Sequence, residues 1–174
     1  MISRRIASAI TVVLVGTLVI LILIAGGIIT IPASISAPSA DSYEHATVTI
    51  YDENGTKLGT VEVRVADTYR KRYTGLSDTE NLPEDEGMLF TYDSPANHTY
   101  VMRGMDFGLD IIYIGADNHI TKIHHAPEPP EGADGNDYRY PGYGQYVLEV
   151  NLNWTTRHAI EEGDRVVIEG LSDG

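Results

Sequence analysis

Hydrophobic and polar positions change rhythm along these 174 residues. From Ile6 to Ile31 there is no alternation: 26 uncharged residues, mostly Ile, Val, Leu, Ala and Gly. A helix of that length spans about 39 Å against a bilayer core of about 30 Å, so one transmembrane helix is predicted. Pro32 stops it, and Pro32–Ser42 has the small, polar, Pro-bearing composition of a linker. The period then becomes two. Val48 and Ile50 alternate with polar residues up to Asn54-Gly55, and alternation resumes through Val61, Val63 and Val65, which predicts a β-hairpin.

A helix is expected next. Asp67 is placed to cap it, Tyr69, Tyr73 and Leu76 share one face, and Gly75 suits a left-handed C-terminal cap. Strands are predicted over Glu86–Tyr92, His98–Gly104, Leu109–Gly115 and His119–His125, the last two joined by a tight turn at Ala116–Asn118. Gln145–Asn151 and Asp164–Gly170 complete the strands, and Asn153–Gly163 reads as a second short helix. Ala126–Gly144, with four Pro and several Gly, reads as a long loop. The predicted fold is α+β: a compact, strand-rich, mostly antiparallel, barrel-like domain over 46–171 with two short helices. Residues 1–5, 6–31 and 32–45 are expected to be a cytoplasmic N-terminus, a transmembrane anchor and a linker.

Charge gives this layout a direction. Arg4 and Arg5 precede the apolar run, and no Lys or Arg follows until Lys57. The positive-inside bias keeps the N-terminus in the cytoplasm and places the domain outside, as a single-pass protein of the cell membrane. A cleaved signal peptide is the rival reading. Its apolar region is usually about 7–15 residues, shorter than this one, although Ala33, Ser34, Ser36 and Ala37 are small enough for a cleavage site. The chain has no Cys, which excludes a lipidated cysteine, disulfides, thiolate metal sites and cysteine nucleophiles.

Without Arg4 and Arg5, ten basic residues face twenty-five acidic ones, a balance of −15. Such a surface repels nucleic acid. Many carboxylates with only three Lys also point to a salt-loving source, where screening relieves the self-repulsion. Three Asn-x-Thr sequons, at Asn54, Asn97 and Asn153, agree with an exterior location and are glycosylation candidates.

Several short strings occur in a telling order: Gly75-Leu76, Gly87–Phe90, Met102-Arg103, Leu109–Ile114 and Val147–Val150. Together, over about Val61 to Ile168, they resemble the family called domain of unknown function 192, an uncharacterised group of bacteria and archaea. The resemblance implies a small β-rich domain behind a signal or anchor segment, and no established activity; the salt-loving composition suggests a haloarchaeal-type member. Two positions depart from the family's pattern. Val101 stands where an aromatic usually precedes the Met, and Asn151–Trp154 lacks the Gly usual after the "VLE" string.

The candidate chemistry is sparse. Asp110 and Glu149 each adjoin an apolar strand; a matched pair of carboxylates could serve a hydrolase, or each could simply fix a turn, Asp110 by accepting backbone or Arg103 hydrogen bonds. Arg64, Arg70, Lys71 and Arg72 fall within nine positions, either as an anion patch for lipid headgroups or an acidic glycan, or as partners of a helix C-terminus and nearby acids. Tyr138, Tyr140 and Tyr143 give the long loop contact area for binding, with Met102 and Arg103 as further candidates; alternatively the loop covers a sheet edge. His124 and His125 point to opposite faces of one strand and cannot readily share an ion, and no local spacing brings His124 to His158. No nucleophile-elbow, zincin, phosphate-loop or calcium-loop motif is present. Neither a metal nor another cofactor is therefore expected. The expected function is a non-catalytic binding or envelope-assembly module whose partner is an envelope protein or glycan. The alternative is an envelope-directed hydrolase using Asp110 and Glu149.

Overall fold

A computed structural model describes residues 42–171. The expected anchor at 6–31 and most of the linker lie outside them. Among the described residues no helix is long and apolar enough to cross a membrane.

The strands are β1 (Glu44–Tyr51), β2 (Lys57–Ala66), β3 (Glu86–Val101), β4 (Leu109–Ile114), β5 (Ile120–Ala126), β6 (Arg139–Asn151) and β7 (Arg165–Glu169). The helices are α1 (Tyr69–Thr74) and α2 (Trp154–Arg157). The strands form one mixed sheet in the order β5-β4-β6-β3-β2-β1-β7. Every neighbouring pair is antiparallel except β2 and β3. The sheet curls into a half-barrel whose edges touch where His119 bridges Arg165. Its concave face carries Val48, Ile50, Val63, Leu89, Ile112 and Leu148, joined by Ile120 and Val166 from the two edges and by Trp154 from α2.

The β1–β2 hairpin turns at Asn54-Gly55, where the Asp52 carboxylate accepts the Asn54 and Thr56 N–H groups at 2.9 and 2.7 Å. Since β2 and β3 run parallel, their connection must cross one face of the sheet. That connection carries α1 over the convex side, where Leu76, Leu82, Met88, Phe90, Met105, Ile111, Tyr113 and Val147 form a second apolar layer. The site described below lies under this crossover.

Several expectations need correction. The α1 cap is Thr68, whose hydroxyl accepts from Lys71 N, and not Asp67. Tyr69 and Tyr73 stack on each other and are 78% and 60% exposed, so only Leu76 of the expected apolar face is buried. The two strands expected at 86–92 and 98–104 are one long β3 with a register irregularity between Thr91 and Ala96. A further part of the expected loop is strand: Arg139–Gly144, about a third of it, pairs with Ala96–Val101. Pro141 is tolerated there because the β4 ladder reaches only Tyr146, so among the described residues no strand pairs with that stretch of β6 on its other side. Gly142 is required because a Cβ would lie 2.5 Å from the Tyr113 ring. In addition, β1 begins at Glu44, two residues before the expected boundary, and α2 stops at Arg157 rather than running to Gly163.

Candidate functional site

Beneath the crossover lies a pocket of about 410 Å³, within the roughly 300–1,000 Å³ usual for small-molecule sites. Its walls come from α1 and the residues after it, from β3, and from the segment that follows β3. Gly75 turns the chain across the opening. Its φ of 54° with ψ of −132° is a combination that only glycine takes easily, and its N–H closes on Lys71 O.

Two arginines flank the mouth, each laid on a tyrosine. The Arg72 guanidinium sits 4.8 Å from the Tyr92 ring centroid. It donates to Asp67 O at 2.7 Å and Thr91 O at 2.8 Å. Arg103 lies 4.2 Å from the Tyr73 ring centroid and donates to the Tyr73 carbonyl. Among the described residues neither is ion-paired with a carboxylate. Each is oriented by these contacts, with guanidinium N–H groups to spare.

The wall behind them is aromatic. His98 stacks on Tyr92 with centroids 3.7 Å apart, so that ring is held between His98 and Arg72. The Tyr92 and Tyr100 hydroxyls are 2.9 Å apart, and Phe90 meets Tyr100 edge-on. His98 Nε2 is buried with no hydrogen-bond partner among the described residues. Burial lowers the His98 pKa and raises that of Tyr100 well above the usual range.

Glu149 forms the floor. It stands on β6 opposite Met88 on β3 and Ile111 on β4, so its side chain belongs to the convex face and points into this pocket. It is 5% exposed, and among the described residues its carboxyl makes no hydrogen bond or ion pair. Burial alone pushes its pKa up to about 8. A charged carboxylate stripped of water is costly, so at neutral pH the group holds its proton and is a hydrogen-bond donor.

Asp110 lies on the other face. It pairs across β4 and β6 with Val150, one position out of step with Glu149, so the two carboxylates are not brought together. Asp110 is also fully engaged. Its Oδ1 accepts His125 Nδ1 at 2.7 Å and Asn153 N at 2.9 Å; its Oδ2 accepts Thr155 N at 2.9 Å and Thr155 Oγ1 at 2.6 Å. These bonds dock the start of α2 against β4 and leave no acceptor site for a substrate. Arg103, considered as a partner for Asp110, bonds to Tyr73 instead.

The other candidate residues scatter. Met102 is fully buried, and its N–H bonds to Gly135 O at 3.1 Å. Tyr138 and Tyr140 pack half-buried on the convex core, and Tyr143 is exposed; none lines the pocket. Of the basic cluster only Arg72 reaches it. Arg64 bonds to Thr79 and lies over Tyr43, Lys71 pairs with Asp67 at 2.8 Å, and Arg70 is also engaged. Asn54 sits at the hairpin tip and Asn97 on the pocket rim. Asn153 is exposed, but the Thr155 hydroxyl of its sequon is spent on Asp110. His124 bonds to Pro141 O and His158 to Trp154 O, so they do not meet. Among the described residues no three His, Asp or Glu side chains cluster as metal ligands. The residues missed by sequence reading are Tyr92, His98 and Tyr100; the only signal was the aromatic spacing within the polar part of β3.

Comparison with known proteins supplies a family and a fold. The model of the family DUF192, described as "Uncharacterized ACR", matches residues 49–168. A crystal structure from Sinorhizobium meliloti 1021, described as a "putative transcription regulator", is 26% identical with a TM-score of 0.66, covering 75% of this chain and 98% of that one. A protein of unknown function from Novosphingobium aromaticivorans DSM 12444 is 26% identical with a TM-score of 0.64, covering 74% and 89%. No curated protein matches.

Proposed function

We propose that this chain, which belongs to the DUF192 family, is a non-catalytic binding module whose ligand site is the pocket floored by Glu149. One observation carries the reading: the Glu149 carboxyl, 5% exposed and without a hydrogen-bond or ion-pair partner among the described residues, stands at the base of an open pocket. A carboxyl this little exposed is left short of hydrogen bonds, and a bound ligand can supply them. Asp110 offers no second catalytic group, because its four hydrogen bonds occupy it on the opposite face. The hydropathic run at 6–31 behind Arg4 and Arg5 supports display of the module on the exterior of the cell membrane. The acidic surplus supports a salt-loving, haloarchaeal-type source and argues against carrying the Sinorhizobium protein's regulator description to this chain as DNA contact.

A fragment screen tests the pocket. Full-length protein with labelled methionine and leucine methyls is titrated with polar aromatic fragments and followed by NMR. Met105 and Leu76 line the pocket, whereas Leu148 faces the concave core and serves as control. Binding moves the first two and leaves Leu148 still. If no fragment moves Met105 or Leu76, the reading is wrong.

A further inference from the structure

The pocket's charges have an order. At neutral pH its interior is uncharged, since burial keeps Glu149 protonated and His98 neutral. Its mouth carries two guanidiniums, Arg72 and Arg103. This local positive charge stands out on a chain of net charge −13. Both guanidiniums lie over tyrosine rings and donate to backbone carbonyls, so they are oriented before any ligand arrives. Planar, preorganised guanidinium forks favour carboxylate or phosphate oxygens. They also disfavour a cation at the entrance. Between mouth and floor, Leu76, Phe90 and Met105 present apolar surface. Two polar groups at the interior have no hydrogen-bond partner among the described residues: the Glu149 carboxyl and His98 Nε2.

We infer that the pocket takes a small organic anion with a ring-like apolar body: its acidic group meets Arg72 and Arg103 at the mouth, and a hydrogen-bond acceptor at its far end meets Glu149 at the floor. This rests on the reading of the pocket as a binding site and gives the chemical class of its ligand. The other titratable and charged groups around Glu149 are Arg72 and Tyr73 on α1, Tyr92, His98 and Tyr100 on β3, Arg103 after β3, and Tyr113 on β4. Burial raises Tyr100 and Tyr113 and lowers His98, which moves all three away from the window between pH 7 and 9 in which Glu149 changes charge.

Three probes of one shape and different charge make the test: para-acetamidobenzoate, the neutral para-acetamidobenzamide and the cationic para-acetamidobenzylamine. Binding to full-length protein in detergent micelles is measured by calorimetry, with the Met105 methyl locating it. The benzoate is expected to bind about tenfold or more tightly than either analogue, the loss expected when a charge-assisted hydrogen bond is removed. Arg103→Gln removes most of that preference. Raising the pH from 7 to 9 weakens the benzoate, because ionised Glu149 no longer donates. Glu149→Gln, whose amide still donates, binds a few-fold more weakly at pH 7 and shows no such loss at pH 9. If the amide or the amine binds in the pocket as well as the benzoate does, the ligand class is wrong and the binding reading stands. If no probe of any charge moves Met105, both fall.

Discussion

Replacing Glu149 by Gln should make the protein more stable at neutral pH and remove a specific pH dependence. The folded carboxyl holds its proton up to about 8, whereas the ordinary value is 4.5. Between those values the folded state binds a proton that the unfolded chain has released. Stability therefore falls as pH rises through this window. Each pH unit removes about 1.4 kcal/mol, so the whole window is worth roughly 4–5 kcal/mol. The opposite sign applies to His98. Burial depresses its pKa, so its contribution is present above 6.5 and is lost as pH falls. The parent curve alone mixes the two, whereas the difference between parent and Glu149→Gln isolates the carboxyl. Thermal unfolding of both full-length proteins between pH 5 and 8 is the assay. The gap in Tm should widen with pH to about 10 °C or more, using about 3–5 °C per kcal/mol for a domain of this size. Parallel curves across that range would refute the reasoning.

Other substitutions test the frame around the pocket. Asp110→Asn replaces one of two accepting oxygens with a donor that faces donors, so the variant should lose about 2–4 kcal/mol in denaturant unfolding. If Asp110→Asn unfolds like the parent, the docking role of this carboxylate is wrong. Gly142→Ala pushes a methyl to 2.5 Å from the buried Tyr113 ring and should cost about 1–3 kcal/mol; an unchanged Tm would show that this part of β6 yields freely. With a net charge of −13, Tm should rise from low to molar NaCl as the Debye length falls to about 3 Å. A flat Tm would remove the main support for a salt-loving source.

Local chemistry made much of the fold readable. Asn54-Gly55 marked the first hairpin, and the run from Ile111 to Ile114 marked a strand apolar on both faces, because it is covered by a concave core and a convex one. Polar Asp93–His98 misled because it interrupts β3 where the strand becomes the pocket wall and pairs irregularly. Pro141, Gly142 and Gly144 suggested a loop, yet Gly142 is in strand to admit the Tyr113 ring. For the site, sequence flagged both carboxylates as anomalous beside apolar residues. It could not show their faces, since that depends on Ile111 lying opposite Glu149 across β4 and β6. Arg72 and Arg103 are 31 positions apart and meet at one mouth only because the parallel β2–β3 connection crosses the sheet there.

The most direct test of the pocket is the titration of the Glu149 side-chain carboxyl carbon by ¹³C NMR, without and with saturating para-acetamidobenzoate. The account predicts a midpoint at about 8 in the free protein and a higher one with the probe bound, because the bound acceptor holds the protonated form. A midpoint near the ordinary 4.5, or one that the probe leaves unmoved, would contradict it.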